Sequence, residues 1–130
     1  MATEAFLLFA LERQRYAIRL SAIDGVDSAQ AIRSVPCAPR YVLGLAHRRG
    51  RLLTVLDLPG TIDETSSGGS ACLLRLAAPH EGLALFLPAA ASIGHPHAPD
   101  GGTRFVEWQG RSHRLLLAGE LVESALATET

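Results

Sequence analysis

VPCAPRYVLGLAHRRGRLLTVLDL, residues 35 to 58, contains two short apolar runs, Tyr41 to Ala46 and Leu52 to Leu58. The five residues His47-Arg48-Arg49-Gly50-Arg51 separate the two runs. Short apolar runs bounded by Pro and Gly are typical of strands, and a short connection that contains glycine predicts a hairpin between them. The tip of this hairpin carries three arginines in four residues. We therefore expect the tip to contact a partner rather than to perform chemistry.

Length and composition limit the classes of protein to which the chain can belong. It has 130 residues, of which 48% are hydrophobic and 19% are charged, as in a folded single domain. The formal net charge of -1 offers no basic excess for a nucleic-acid partner. No apolar run approaches the roughly 20 residues of a membrane-spanning helix, and no leader-like segment precedes Phe6. We expect a cytoplasmic protein without direct membrane insertion.

Strand signals dominate the rest of the chain. Runs of apolar residues with period-two features predict strands at 6–11, 16–20, 72–76, 83–87, 104–108 and 114–117, and 32–35 is expected to be a short extended piece. Ser21, followed by Asp24 three residues later, predicts the cap of one helical turn that Gly25 ends. Glu120 to Ala127 predicts a short closing helix.

The second half of the chain resembles the first when the two are aligned at a constant offset of 67 residues without a gap. The aligned segments are Phe6-Leu7 with Leu73-Leu74, Tyr16-Ala17-Ile18 with Leu83-Ala84-Leu85, and Val26 with Ile93. At a slightly shorter offset, Gly50-Arg51 aligns with Gly110-Arg111. The alternative is that any two strand-turn-strand units share apolar positions. We favour an internal repeat, with subdomain halves of roughly 1–65 and 71–130 joined by the Ser/Gly-rich segment 65–70.

Three motifs follow one another in the first half of the chain. Glu12 to Ile23 corresponds to E-R-Y-A-I-x-L followed by a small residue and A-[VI], with a Gln-Arg variation. Val35 to Gly44 corresponds to V-P-x-A-P-x-Y-V-x-G, and His47 to Leu58 corresponds to N-L-R-G-x-[IVL]-[LI]-P-V-[IVL]-D-L. In this order the motifs resemble the CheW-like domain family, the adaptor modules of bacterial chemotaxis-type signalling. The resemblance is strong over residues 5 to 60.

The resemblance implies both a fold and a function. The fold would be all-β, with two intertwined SH3-like five-stranded barrels, short helical turns and a short C-terminal helix in one domain spanning 1–130. The function would be that of a non-catalytic adaptor that couples the cytoplasmic tip of a methyl-accepting chemoreceptor to the regulatory domain of a CheA-type histidine kinase, at membrane receptor arrays. The partner-binding residues would be His47, Arg48, Arg49, Gly50, Arg51, Tyr41 and Val42.

Several positions depart from the family pattern. His47 replaces Asn, Arg48 replaces an apolar residue, Thr54 replaces Pro and Cys37 replaces Gly. In the second half, residues 87–90 read Leu-Pro-Ala-Ala where the family has V-D-x-V, so an acidic residue is missing. These departures lie where partners would be recognised. A divergent adaptor of a pilus-motility or other chemosensory pathway, with a different partner, is therefore the alternative.

The best candidate for a metal site is His95-Pro96-His97, together with His80 or His113. No Cys, Asp or Glu completes a set at ligand-like spacing, so we favour a solvated loop. The two cysteines form no C-x-x-C pair, and we expect both to be reduced. We predict no metal, no cofactor and no catalytic residue, and keep a histidine-dependent metalloenzyme only as a remote alternative.

Overall fold

The computed structural model describes residues 4–29, 32–65, 70–96 and 104–127. These residues form the strands β1 (Phe6–Ala10), β2 (Arg15–Arg19), β3 (Ile23–Ser28), β4 (Val42–Arg48), β5 (Arg51–Asp57), β6 (Cys72–Leu76), β7 (Leu83–Leu87), β8 (Ala91–Gly94), β9 (Phe105–Trp108) and β10 (Arg111–Leu116). They also form the helices α1 (Leu58–Thr61) and α2 (Ala118–Ala127), and a 3₁₀ turn at Leu20–Ala22. Among the described residues, no helix is long and apolar enough to cross a membrane.

The strands form two five-stranded sheets. Sheet A has the order β8-β1-β2-β10-β9, and sheet B has the order β3-β6-β7-β5-β4. One parallel pair lies at the centre of each sheet, β2 with β10 and β5 with β7, and the other neighbours are antiparallel. Each sheet takes strands from both sequence halves. The prediction of an all-β fold with two intertwined five-stranded units and a C-terminal helix is confirmed.

The two sheets repeat each other strand for strand. β1, β2 and β3 correspond to β6, β7 and β8, while the unit β4-β5-α1 corresponds to β9-β10-α2. The correspondence extends to register, because Ala17 lies opposite Leu115 in one parallel pair and Ala84 lies opposite Val55 in the other. This topological repeat matches the repeat read from the sequence. The division at 65–70 stays a prediction, since residues 66–69 lie outside the described part.

Each sheet curls until side chains connect its two edge strands. In sheet B, Arg48 of β4 donates a hydrogen bond of 2.8 Å to the backbone carbonyl of Ser28 in β3. In sheet A, Gly94 of β8 lies against Trp108 of β9, and a Cβ added to Gly94 would come within 2.7 Å of the indole ring. Only glycine therefore allows this close approach. The closure leaves each sheet wrapped around its own small apolar core.

The central strands are apolar on both faces because each one separates two cores. In β1, Leu7 and Phe9 face the core shared by the two sheets, whereas Phe6 and Leu8 face the core inside sheet A. The same alternation holds along β2, β5, β6, β7 and β10. Strands buried on both faces read as continuous apolar runs rather than as alternating ones. This burial explains why the sequence signals for these strands are strong.

One polar pair is buried where the β1–β2 hairpin meets the chain that follows α1. The Tyr16 hydroxyl donates to Oε2 of Glu64 at 2.7 Å, and the backbone N–H of Arg13 donates to Oε1 at 3.3 Å. Tyr16 is 2% exposed and Glu64 is 8% exposed. Burial, followed by the hydrogen bond to the carboxylate, raises the pKa of Tyr16 to about 12. The pair links sheet A to the segment that leaves sheet B.

The structure corrects three local predictions. Ser21 lies inside the 3₁₀ turn and does not cap it, because the residue before the turn is Arg19 and no side-chain cap forms. The short extended piece expected at 32–35 forms no strand and makes one bridge, between Arg33 and Leu45. The strands β3 and β8 and the helix α1 were not predicted, because the first two are edge strands with exposed faces and the third has only four residues.

The buried Tyr16 hydroxyl should make the protein sensitive to alkaline pH. The folded-state pKa is about 12, whereas an unfolded tyrosine titrates near about 10. The folded chain thus keeps a proton that the unfolded chain releases as the pH rises. We expect the free energy of unfolding to fall by on the order of 2 kcal/mol between about pH 10 and pH 12. Urea denaturation at a series of pH values measures this change.

Tyr16→Phe provides the control for this experiment. The chain has two tyrosines and no lysine, so few other groups titrate in this window. The variant should lose about 1–3 kcal/mol at neutral pH, because the buried Glu64 carboxylate loses a donor. It should also lose most of the alkaline pH dependence. An unchanged dependence in the variant would assign the effect to another group.

Candidate functional site

The β4–β5 hairpin ends in a two-residue turn. Arg49 has a φ of 49° and Gly50 has a φ of 77°, and Arg48 pairs directly with Arg51 across the turn. Two consecutive positive φ angles are typical of a type I′ turn, which matches the twist of the flanking strands. The turn is narrower than the five residues expected from the sequence, since His47 and Arg48 belong to β4 and Arg51 to β5. The positive φ of Gly50 is one that glycine adopts without strain.

Strand alternation divides the tip into an inner and an outer surface. The pair Arg48 and Arg51 lies next to the buried pair Ala46 and Leu53 on the inner face of sheet B. Both arginines line a pocket at the open end of that sheet. His47 and its cross-strand partner Leu52 line a separate groove on the outer side. Neighbouring tip residues therefore belong to different surfaces.

The inner surface is a pocket of about 280 Å³, which we call the arginine pocket. Its guanidinium groups come from the tip of the β4–β5 hairpin and from the middle of β6, and its walls include leucines of β5, β6 and β7. The lining residues are Asp24, Arg48, Arg49, Arg51, Leu53, Arg75, Leu76, Gly82 and Leu83.

Two aspartates of β3 hold two of these arginines in place. Arg75 Nε lies 2.7 Å from Asp27 Oδ2, and its Nη1 lies 3.3 Å from Asp24 Oδ2. Arg48 Nε lies 3.6 Å from the same Asp27 oxygen. A Cβ on Gly25 would come within 2.0 Å of the Arg75 guanidinium. The glycine thus provides the space in which the guanidinium crosses β3 between the two carboxylates.

The other two arginines of the pocket are unmatched. Within the described ranges, neither Arg49 nor Arg51 has a carboxylate at ion-pair distance. Both residues are exposed at the hairpin tip. They are therefore the cations of this site that are available to an incoming negative charge.

The outer groove has a volume of about 580 Å³ and lies between β4 and the segment that precedes it. Two hydrogen bonds of 2.8 Å between the backbones of Arg33 and Leu45 hold this segment beside β4. A Cβ on Gly44 would come within 2.0 Å of the Arg33 carbonyl oxygen, so the close approach needs glycine. Leu52, which is 61% exposed, and Val35 supply apolar surface in the groove.

Tyr41 and Val42 lie at the opposite end of the hairpin from the tip. Val42 pairs with Leu56, about 20 Å from Arg48 at the usual rise along a strand. Both residues are half-buried and pack against the shared core. The Arg40 guanidinium carbon lies 4.9 Å from the centre of the Tyr41 ring. The structure thus groups the five predicted residues at the tip and separates Tyr41 and Val42 from them.

Sequence reasoning missed Asp24, Asp27 and Arg75 as members of the site. A signal was present, because Arg75 is the one charged residue in the apolar strand Cys72–Leu76 and aligns with the apolar Leu8 in the repeat. A charge at such a position needs a partner when the strand packs. The identity of that partner could not be read from spacing.

The histidines and cysteines form no metal-binding geometry in the described part of the chain. No group of three or more His, Cys, Asp or Glu side chains lies close enough there to hold an ion. His113 is buried in sheet A, its Nδ1 lies 3.2 Å from the Arg111 carbonyl oxygen, and burial lowers its pKa. Cys37 and Cys72 are free thiols. His97 lies outside the described residues.

Comparisons with known proteins agree with this architecture. A family model described as CheW-like domain matches residues 5–70. Among solved structures, the crystal structure of the scaffolding protein TtCheW from Thermoanaerobacter tengcongensis is similar, with a TM-score of 0.72, 15% identity and coverage of 88% of either chain. No curated protein matches. At this identity, the structural similarity establishes the two-barrel fold.

Asp27 should contribute to stability because it holds two arginines. Its side chain is 13% exposed, and those of Arg48 and Arg75 are 24% and 23% exposed. We expect Asp27→Asn to lower the free energy of unfolding by about 1 kcal/mol, as measured by urea denaturation. Asp24→Asn is the matched control, because this carboxylate is 59% exposed and its loss should have little effect. Equal effects of the two substitutions would argue against the special role of Asp27.

Proposed function

Because the chain belongs to the CheW-like domain family, we propose that it is a non-catalytic adaptor of chemotaxis-type signal transduction. In this role it couples the cytoplasmic tip of a methyl-accepting chemoreceptor to the regulatory domain of a CheA-type histidine kinase. The observation that carries the proposal is the family match over residues 5–70, which includes the entire β4–β5 hairpin and its tip. The two-barrel fold shared with a scaffolding protein supports it.

The two surfaces of the hairpin tip suit recognition of a helical partner. A helix that docks in a groove needs apolar contacts and charged edges. The outer groove offers Leu52 and Val35, and the turn presents Arg49, which lines the arginine pocket. The guanidinium of Arg49 can form a bidentate pair with a carboxylate of the receptor tip. We assign receptor contact to His47 and Arg49, and kinase contact to exposed strand edges and loops.

The composition of the arginine pocket supports a binding role rather than a catalytic one. Its lining consists of arginines, leucines, one glycine and Asp24, whose carboxylate pairs with Arg75. Among the described residues that line it, no nucleophile stands beside a general base, which is the arrangement that covalent catalysis requires. A site of this composition can contact a negatively charged partner through its arginines and an apolar group through its leucines.

A second candidate keeps the fold and changes the pathway. His47 stands on the outer groove and Arg48 on the inner pocket, and neither residue fits the family pattern. A divergent adaptor of a pilus-motility or other chemosensory pathway would recognise a different receptor through these residues. Binding assays with receptor-tip fragments from each pathway of the same genome separate the two candidates. The stronger partner identifies the pathway.

If the chain couples to a kinase, it should form a stable binary complex with the regulatory domain of that kinase. We expect the chain to co-elute with the regulatory domain of the CheA-type kinase from the same genome in size-exclusion chromatography. Titration calorimetry then gives the affinity. No complex at high micromolar concentrations would count against kinase coupling.

If the hairpin tip contacts a receptor, reversing a charge at the tip should weaken receptor binding. Arg49→Glu should weaken binding of a receptor-tip fragment at least about tenfold, because a charge-assisted bond becomes a repulsion. Circular dichroism should show an intact fold, since Arg49 is exposed. Gln109→Glu is the matched control, because Gln109 occupies the corresponding turn of sheet A with a similar φ of 52°. Unchanged binding in Arg49→Glu would remove this residue from the interface.

A further inference from the structure

The arginine pocket has an excess of positive charge. Arg48, Arg49, Arg51 and Arg75 line it, and Asp24 is its one acidic lining residue. Asp27 adds a second carboxylate from β3, next to Arg48 and Arg75. The local balance is therefore two positive charges, carried by Arg49 and Arg51. Unmatched guanidinium groups around one cavity attract an oxyanion, because their planar forks bind two oxygens at a time.

The pocket is larger than an oxyanion alone would need. Its volume of about 280 Å³ lies near the lower end of the range for small-molecule sites. Leu53, Leu76 and Leu83 form an apolar part of its wall. A ligand that fills the space would thus combine a charged head with a small apolar body.

The arrangement is held in place before any ligand arrives. Arg75 is fixed between Asp24 and Asp27, and Arg48 is fixed by Asp27 and by the carbonyl of Ser28. The type I′ turn fixes the backbone from which the unmatched arginines extend. Arg48 and Arg75 are therefore ordered in the free chain, and only Arg49 and Arg51 lose side-chain freedom when a ligand binds.

The corresponding pocket of sheet A shows which of these arginines the fold does not require. That pocket has a volume of about 250 Å³ and lies at the equivalent end of the sheet. Trp108 stands there in place of Arg48, Gln109 in place of Arg49 and Leu8 in place of Arg75, whereas Arg111 stands in place of Arg51 and Arg15 is an additional lining residue. One architecture therefore supports either lining. Among the described residues, the cluster of four arginines is specific to the pocket of sheet B.

We propose that the arginine pocket binds a phosphate monoester with a small apolar group. The dianionic phosphate matches the two unmatched charges better than a single carboxylate does. Arg49 and Arg51 would hold the phosphate, and the apolar group would lie against the leucines. The pocket shares the hairpin tip with the proposed receptor surface, but the inference does not depend on the adaptor role. Its test uses the chain alone, so failure of one proposal does not decide the other.

Phenyl phosphate is a suitable probe for this site. Titration of the isotopically labelled chain, followed by amide NMR at low salt, should give saturable shifts at Gly25, Gly50 and Gly82. Phenyl phosphate should bind several-fold more tightly than inorganic phosphate, because it adds contact with the leucines. The double substitution Arg49→Gln with Arg51→Gln should weaken binding at least about tenfold.

Two further variants keep the test decisive. Asp24→Asn should strengthen binding, because it removes the acidic lining residue, and an exposed aspartate is not needed for folding. Arg111→Gln, at the position of sheet A that corresponds to Arg51, should leave binding unchanged. The absence of saturable binding would overturn the proposal, as would equal weakening by Arg111→Gln. Tighter binding of benzoate than of phenyl phosphate would overturn the assignment of the phosphate head.

Discussion

Burial of both faces of the central strands is the constraint on which the rest of this structure depends. Leu7 and Phe9 face the shared core while Phe6 and Leu8 face the core of sheet A, so β1 cannot lie at the surface. Each fully buried leucine or phenylalanine contributes about 1.5–3 kcal/mol, but only when both sheets are present. Because the strands of each sequence half enter both sheets, neither half can complete a core by itself. The surface left for function consists of edge strands, hairpin turns and the open ends of the sheets.

Barrel closure and the candidate site are coupled in sheet B. The junction of its edge strands is polar, with Arg48 of β4 bound to Asp27 and Ser28 of β3. The corresponding junction of sheet A is apolar, with Trp108 against Gly94. Both junctions close a five-stranded sheet, so stability alone does not explain the charges in sheet B. Asp27 also positions Arg48 and Arg75 in the wall of the pocket, so the same carboxylate contributes to closure of the sheet and to the arrangement of the proposed binding site.

The strands that could be predicted from the sequence are those marked by a run of apolar residues within the strand itself. The strands Cys72–Leu76 and Leu83–Leu87 were predicted at their observed bounds because both of their faces are largely buried and Arg75 is the one charged residue in the two runs. β3 was missed because its sequence IDGVDS has the composition of a loop, and only pairing with β6 makes it a strand. The tip arginines were predicted to bind a partner because three of the four residues 48–51 are arginine. Arg75 and Asp27 were not found, because they lie 48 residues apart in the chain and meet only when β3 pairs with β6.

In the β4–β5 hairpin and the segment before it, several residues that fit the family pattern are buried, and two of the residues that depart from it are exposed. Residues of the hairpin that fit the family pattern include Gly44, which admits the neighbouring segment, and Val55 and Leu56, which are fully buried. The departures Cys37 and His47 are exposed. A substitution at an exposed position changes what the tip presents without disturbing either core. The fold therefore follows from the buried face of the hairpin, whereas the exposed side chains at its tip are the positions at which the proposed receptor contacts can change.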